Sequence, residues 1–377
     1  MSKIIIRRHI KNPGQFQIVS PLFIFWLLRI VASIIIEILF FQLFFHFFLK
    51  VKFFASFHET IPSHVLPQIS YGLCVPFIKK ESFSSRRDLT ITFLVDQELH
   101  LALNLFSIRQ SGCKASIVVI TNQEMEFSTT AIKIMNCIEA KVVRSEFSPS
   151  FYFLMNDLKR TILIKNYLQL NIMLYDRVFY FDAFDVFFES DPFKFFNGDR
   201  LFFVQESTIK LKDQQCNKDW FLNAYDEETF ESISDNLVVC SGTVAGTIKR
   251  MIQYYSVLLS LSSFRIHQLD QPQLNYIIYS GLLAKKKIPY TLFDHVGPIH
   301  TLNIGEKNYK YYFDDKRYLY VTNAAHQVAA VIHQTKNFPN ILEGLYNRCN
   351  LTLYTRSCNC SDSKLDDEEN AKIDTYE

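Results

Sequence analysis

Apolar and polar positions follow an alternating pattern over residues 88–204. Short apolar runs rich in β-branched and aromatic residues predict strands, and segments with a period near 3.6 residues predict helices. The predicted order is strand Leu89–Val95, helix Glu98–Gln110, strand Ser116–Thr121, helix Thr129–Cys137, strand Ala140–Val143, helix Phe151–Leu174, strand Val178–Phe181 and strand Leu201–Val204. Strands that alternate with helices predict an α/β fold, with a mostly parallel sheet sandwiched by helices.

The strand Val178–Phe181 ends in two carboxylates, Asp182 and Asp185. Acidic side chains at the end of a buried strand are costly unless a cation or solvent meets them. Ligands of parallel sheets bind at the carboxyl ends of strands, and oxygen ligands suit magnesium and manganese. A divalent cation is therefore one arrangement that fits this strand end, and a capped strand end open to solvent is the alternative.

A second pattern occupies the N-terminus, where Pro21–Leu49 is almost entirely apolar. Its stretch Ile30–Leu49 is long enough to cross a bilayer, although Glu37 within it costs about 3 kcal/mol on insertion scales. More Lys and Arg residues precede the run than follow it closely, which places the N-terminus in the cytosol. We therefore expect a cytosolic tail over 1–20, a transmembrane signal anchor over 21–49 and a type II orientation.

The regions that flank the predicted globular part are polar. Residues 50–87 contain scattered prolines and end in Arg86-Arg87, which predicts a stem or linker. Residues 346–377 end in an acidic, polar stretch, which predicts a disordered tail. Two Asn-x-Ser/Thr sequons, at Asn350 and Asn359, are compatible with a lumenal location.

Composition and missing motifs exclude several classes of function. The formal net charge is only +2, so there is no basic field that would indicate a nucleic-acid partner. The 8 cysteines lack the spacing of a zinc site, and they leave room for disulfides in an oxidising compartment. Neither Gly-x-Gly-x-x-Gly nor a Walker A pattern occurs, which argues against a dinucleotide-binding fold and a P-loop nucleotidase.

The stretch from Tyr180 to Phe193, Tyr-Phe-Asp-Ala-Phe-Asp-Val-Phe-Phe-Glu-Ser-Asp-Pro-Phe, resembles the Asp-x-Asp region of the GT-A type glycosyltransferases. Asp270-Gln271, Gly297-Pro298-Ile299 and Ala330-Val331-Ile332-His333-Gln334 follow in the order that the family shows. The resemblance covers roughly residues 88–340 and implies a Rossmann-like GT-A catalytic domain over 88–345. Here two residues instead of one separate the carboxylates, so the motif reads Asp-x-x-Asp.

The resemblance implies a metal site made of two carboxylates and a late histidine. Counted back from Pro192, Asp185 takes the place of the metal-binding second Asp. Asp182 would bind the metal or the ribose of the nucleotide-sugar. His333 would supply the remaining ligand, with His326 as the competing candidate. The expected ion is Mn²⁺ (or Mg²⁺).

Further roles follow from the same resemblance. Arg160 would bind the diphosphate of the donor, because its planar fork matches phosphate oxygens. Asp270 and Gln271 would be catalytic residues that face the acceptor or the anomeric centre. Cys240 stands where many relatives carry Asn, which alters the expected contacts of the donor sugar.

The expected function is transfer of a sugar from a nucleotide-diphosphate sugar donor to a glycan, protein or lipid hydroxyl. The enzyme would be single-pass in the Golgi or endoplasmic reticulum membrane, with its catalytic domain in the lumen. One alternative is a catalytically inactive lumenal GT-A-fold binding protein. Another is a membrane-anchored hydrolase that uses the same carboxylates on phosphate esters.

Overall fold

A computed structural model describes residues 25–26, 28–37, 39, 57–60, 81–95, 98–145, 156–262, 269–303, 309–315, 318–323, 325–349 and 351. The chain divides into two compact units, Met1–Ala55 and Ser56–Glu377. In the first unit, residues 28–37 are helical. Among the residues that the structure describes, no helix combines the length and apolarity needed to cross a bilayer. The rest of the predicted anchor, most of the predicted tail and both Asn residues of the sequons lie outside the described residues.

The second unit is an α/β fold built on an eight-stranded sheet, as the alternating pattern predicts. Its strand order is β1-β4-β3-β2-β5-β8-β7-β9, in which β1 and β8 run antiparallel to the other six. The strands are β1 Phe57–Thr60, β2 Asp88–Leu94, β3 Ser116–Asn122, β4 Ala140–Ser145, β5 Arg177–Phe181, β7 Leu201–Lys210, β8 Leu237–Thr247 and β9 Tyr290–Phe293.

Helices cover both faces of this sheet. They are α1 Leu101–Gln110, α2 Thr129–Cys137, α3 Asn156–Leu170, α4 Gln215–Ala224, α5 Glu227–Glu231, α6 Ile248–Leu261, α7 Asp270–Tyr279, α8 Leu282–Lys285 and α9 Pro339–Arg348. The central strand β5 shows why both faces must be covered. Phe179 and Phe181 pack into one hydrophobic core with α1, α2 and α9, while Val178 and Tyr180 pack into another with α3, α6 and α7.

Two smaller sheets complete the unit. One has the order β10-β13-β6, with β6 Val186–Phe188, β10 Ile299–Thr301 and β13 Val331–His333. The other is the antiparallel pair β11 Tyr309–Phe313 and β12 Leu319–Asn323. Because β13 pairs with β6 in a register that sets His333 opposite Val186, a late segment of the chain reaches the end of β5.

The structure differs from the predicted elements in several places. The helix predicted from Glu98 begins at Leu101, and the strand predicted to end at Val204 runs to Lys210. The helix before β5 ends at Leu170 and not at Leu174. The side chain of Asn171 donates to the Tyr167 carbonyl, and the Leu174 N–H bonds to the Asn171 carbonyl three residues back, which closes a turn. The pattern did not predict β8, which inserts antiparallel between β5 and β7. The compact unit begins at Ser56, and β1 pairs with β4 from within the stretch predicted as a linker.

Candidate metal centre and its surroundings

A turn between β5 and β6 carries both predicted carboxylates. The backbone N–H of Asp182 donates to the Gly242 carbonyl at 2.9 Å, which extends the β5–β8 pairing by one residue. The chain then turns, and Asn104 Nδ2 donates to the Ala183 carbonyl at 2.5 Å. The Asp185 carbonyl accepts from Thr335 N–H at 3.2 Å, just before β6 begins. The extra residue of the Asp-x-x-Asp spacing is therefore taken up by a turn whose backbone is held on several sides.

His333, the last residue of β13, meets the two carboxylates. Its Nε2 lies 3.5 Å from Asp185 Oδ1 and 3.8 Å from Asp182 Oδ2. One ligand atom from each of the three residues lies within 4.8 Å of the others, so the cluster could hold a metal ion. His326, the competing candidate, is exposed and lies outside this cluster.

Gly242 on β8 makes the close approach of these side chains geometrically possible. A Cβ built on Gly242 would lie 2.5 Å from Asp182 Oδ2 and 2.6 Å from His333 Nε2. Real Cβ atoms essentially never come this close to other heavy atoms. The missing side chain leaves the space into which the aspartate and the imidazole converge.

The donor atoms fit a divalent cation. Asp185 is 1% exposed, and its Oδ1 has no hydrogen-bond partner, which is costly for a buried carboxylate oxygen. Two carboxylates and an imidazole form a ligand set that first-row divalent metals accept, and manganese tolerates such a mixture of oxygen and nitrogen. Among the residues that the structure describes, this oxygen has only the 3.5 Å ion-pair contact with His333 Nε2, which is too long for a good hydrogen bond, so a bound cation would satisfy it better.

The three side chains also perturb each other's proton affinities. Burial alone would raise the pKa of Asp182, but hydrogen bonding to His333 and the charge of Arg160 bring it well below its usual range. Burial opposes ionisation of Asp185 too, and the charge of His333 still lowers its pKa. Both carboxylates are therefore held in the ionised form that metal binding requires. Although burial alone would lower the pKa of His333, Cys240 and the two aspartates raise it well above its usual value, so a bound metal would have to displace a proton from the imidazole.

Cys240 lies behind the imidazole. Its Sγ is 3.5 Å from His333 Nδ1, the ring nitrogen that faces away from the carboxylates. A metal-binding histidine usually donates its second ring N–H to an oriented partner, which fixes the ring and its tautomer. In this chain a buried thiol occupies the position of that partner, and burial raises its pKa.

Lys336 is a site residue that sequence reasoning missed. Its Nζ lies 3.0 Å from Asp185 Oδ2, although almost half of the lysine side chain is exposed. The residue comes three positions after His333, past the end of β13, and the 3-10 turn Thr335–Asn337 carries it back to the cluster. The ammonium partly neutralises Asp185 from the solvent side.

Arg160 on α3 joins the metal cluster to α7. Its Nη1 donates to Asp182 Oδ1 at 3.2 Å, and its Nη2 donates to Asp270 Oδ2 at 2.5 Å. Tyr180 Oη donates to the same Asp182 oxygen at 2.6 Å. Although burial alone would lower the pKa of Arg160, the charge of Asp270 keeps it well above the ordinary value. The structure thus brings the predicted residues Arg160, Asp182 and Asp270 into one partly buried ionic network.

Gln271 belongs to a second polar cluster around Glu206, a residue that the sequence pattern did not single out. Glu206 on β7 is 6% exposed, and its two carboxylate oxygens accept from Gln271 Nε2 at 2.9 Å and from Asn303 Nδ2 at 3.2 Å. Gln271 Nε2 also donates to Asn217 Oδ1 at 2.8 Å, and its Oε1 accepts from the Ser241 N–H at 3.3 Å. Ser241 precedes Gly242, so this cluster adjoins the metal centre.

Comparison with protein-family models and with curated proteins found no match for this chain. What is shown is an α/β fold with a mostly parallel sheet and an Asp-Asp-His cluster that could hold a metal ion. Both features are compatible with the GT-A fold.

Proposed function

We propose that this protein is a metal-assisted GT-A type glycosyltransferase that moves a sugar from a nucleotide-diphosphate sugar to a glycan, protein or lipid hydroxyl. The observation that carries the proposal is the convergence of Asp182, Asp185 and His333 at the carboxyl end of a central strand, with one buried Asp185 oxygen left without a hydrogen bond. Ligands of open α/β sheets bind at that end of the strands.

In this proposal the chain's own residues bind and orient the donor. Asp182, Asp185 and His333 would hold Mn²⁺ (or Mg²⁺), which would supply Lewis-acid stabilisation of the charge on the diphosphate. Arg160 is kept in place by Asp182 and Asp270 and presents a cation to the diphosphate. Lys336 lies next to Asp185 and adds positive charge at the exposed side of the centre.

The cluster around Glu206 is proposed to bind the transferred sugar. Glu206 and Ser241 supply hydrogen-bonding groups of the kind that sugar hydroxyls need. Gln271 hydrogen-bonds to both residues and fixes their positions. In the proposed roles, Asp270 and Gln271 act at the acceptor or anomeric centre. Gln271 cannot take up a proton, so its contribution would be to position groups.

The proposed setting is the lumen of the secretory pathway, as a single-pass type II protein of the Golgi or endoplasmic reticulum membrane. Cys349, next to the end of α9, is disulfide-bonded. Disulfides persist in oxidising compartments, so this bond supports a lumenal location for the second unit. The apolar segment 21–49 supports the membrane anchor.

A second candidate is a lumenal binding protein with this fold and no transferase activity. The observation that favours it is that cationic side chains already neutralise both carboxylates. Arg160 pairs with Asp182, and Lys336 pairs with Asp185. In a protein that does not use a metal, such pairs would suffice to keep the carboxylates ionised.

One experiment separates the two candidates. The full chain is incubated with a panel of nucleotide sugars, with and without Mn²⁺, and release of the nucleotide is measured. We expect release that depends on Mn²⁺ and falls at least about a hundredfold in Asp185→Asn, since that change removes a direct ligand. Absence of turnover across the panel, or turnover that ignores the metal, would refute the transferase.

Asp191→Asn is the matched control, because Asp191 is as buried as Asp185 but has a structural role. Its Oδ2 accepts from Phe83 N–H at 2.7 Å and from Ser84 Oγ at 2.5 Å, and its Oδ1 caps the turn Pro192–Lys194. Asparagine keeps one oxygen for the cap but replaces Oδ2 with an NH2 group that cannot accept from Phe83 N–H, and a buried hydrogen bond left unmade costs about 1–3 kcal/mol. We expect this variant to melt at a lower temperature while it retains its affinity for Mn²⁺.

A further inference from the structure

Glu206 lies at a break in the pairing of the large sheet. The pairing of β7 with β8 stops at Gln205 and resumes at Lys210, and the four residues between them lie opposite a single residue of β8. Glu206 is the first of these four. Bulges of this kind redirect side chains and are common next to active sites. The bulge thus directs the Glu206 carboxylate to the polar cluster beside the metal centre.

The protein uses only part of the hydrogen-bonding capacity of this carboxylate. Glu206 Oε1 accepts from Asn303 Nδ2 at 3.2 Å, and Oε2 accepts from Gln271 Nε2 at 2.9 Å. An ionised carboxylate can accept about four hydrogen bonds, two at each oxygen. Among the described residues, one acceptor position therefore remains on each oxygen. Two O–H donors on adjacent carbons of a sugar match such a pair of positions, in the bidentate manner in which a guanidinium binds a carboxylate.

The cations beside the metal centre are paired with other carboxylates. The Nη atoms of Arg160 lie within 3.2 Å of three of them, on Asp157, Asp182 and Asp270. Lys336 lies 3.0 Å from Asp185. Over the part of the chain that the structure describes, Glu206 contacts amide donors and no Lys or Arg. An anionic ligand at Glu206 would therefore meet a like charge without a cation to offset it, and like charges repel strongly where water is largely excluded.

We propose that the sugar transferred by this protein is a neutral hexose or pentose, held at Glu206 through two adjacent free hydroxyls, and that uronic acids are rejected. A neutral sugar supplies O–H donors for both open acceptor positions. A uronic acid differs at one carbon, where a carboxylate replaces the hydroxymethyl group and brings a second negative charge to a buried carboxylate. The inference rests on the proposed transferase function and narrows its donor class.

Donor pairs that differ only at this carbon test the proposal on the unsubstituted full chain. The pairs are UDP-glucose with UDP-glucuronic acid, UDP-galactose with UDP-galacturonic acid, and GDP-mannose with GDP-mannuronic acid. With Mn²⁺ present, release of the nucleotide gives kcat/KM for each donor. We expect the neutral member of a pair to be favoured at least about a hundredfold.

The outcomes separate this proposal from the transferase assignment. Similar kcat/KM values within a pair that is used, or an acidic sugar as the best donor of the whole panel, would overturn the neutral-sugar proposal and leave the transferase assignment standing. No release of nucleotide from any donor of the panel would refute both.

Glu206→Gln tests the hydroxyl contacts themselves. The change keeps the length of the side chain but removes its charge and one acceptor oxygen. Calorimetry with Mn²⁺ compares the best donor with its nucleoside diphosphate alone. We expect the variant to bind the donor at least about tenfold more weakly and the nucleoside diphosphate as before, because only the sugar would contact Glu206. Equal changes in affinity for both ligands, or no change for either, would contradict the proposal.

Asp235→Asn is the matched control. Asp235 is a carboxylate near the other end of the bulge, where it pairs with Lys210 and Lys212. This variant should bind both ligands as the unsubstituted protein does. The donor pairs require no substitution, so they decide the proposal even if Glu206→Gln lowers the melting temperature too far for a binding measurement.

Discussion

Gly242→Ala is the most incisive test of the metal centre, because it adds one methyl group without removing a ligand. The new Cβ would lie 2.5 Å from Asp182 Oδ2 and from His333 Cε1, whereas ordinary contact begins at 3.4 Å. The aspartate and the imidazole would each have to retreat by about 0.9 Å. Gly242 does not have a positive φ angle, so the substitution acts through crowding and not through backbone strain.

A shift of this size exceeds the roughly 0.5 Å tolerance within which site geometry must be held. Two of three ligands move, so we expect the affinity for Mn²⁺ to fall about a hundredfold, which corresponds to about 2.8 kcal/mol of binding free energy. Isothermal titration calorimetry on the full chain measures this directly. A second readout is the increase in melting temperature that Mn²⁺ produces in the unsubstituted protein, which the variant should lose.

Gly246→Ala on the same strand is the control. Its Cβ would lie 2.9 Å from the backbone oxygen of Arg200, so it also disturbs packing, but it touches none of the three ligands. We expect it to lower the melting temperature and to leave the affinity for Mn²⁺ unchanged. If Gly242→Ala binds Mn²⁺ as tightly as the unsubstituted protein, the three side chains do not form the metal centre.

Two further predictions concern stability. Arg348→Met should cost about 3–5 kcal/mol in urea unfolding, because it leaves Glu189 charged and buried without its bidentate partner. The double variant E189L/R348M should recover part of that loss, and a double variant less stable than the single one would contradict the reasoning. Burial lowers the pKa of His300 to about 4, so the neutral form stabilises the fold above pH 6.5 and this contribution is lost as the pH falls. From pH 7.5 to 5 the loss should be about 2 kcal/mol, and His300→Gln should show a smaller one.

The parallel part of the fold could be predicted from local pattern. Strands β2 to β5 and helix α2 each carry their own periodicity, and their predicted bounds lie within a few residues of the observed ones. β8 could not be predicted in this way. Its stretch Ser241-Gly242-Thr243 lacks the apolar run of a buried strand, and its place between β5 and β7 depends on pairing across the sheet.

The residues of the candidate site also differ in whether local sequence pattern could predict them. Asp182 and Asp185 end a strand that the pattern reveals, and the family resemblance pointed to His333. Lys336 and Glu206 carried no local signal, because a turn after β13 and a contact with Gln271 bring them to the site. The sequence shows the Asp-x-x-Asp spacing directly. The turn that accommodates the extra residue becomes visible only in the structure, where Asn104 donates to the Ala183 carbonyl.

The proposed ligands Asp182 and His333 belong to two different sheets, which has a mechanical consequence. Asp182 extends the large sheet, whereas His333 ends a strand of the small β10-β13-β6 sheet. An ion bound between them would link the two sheets. Its binding free energy would raise the free energy that local unfolding of the C-terminal segment requires. Removal of the ion with a chelator should therefore speed the cleavage of β13 and α9 in limited proteolysis. This readout does not require an assay of activity.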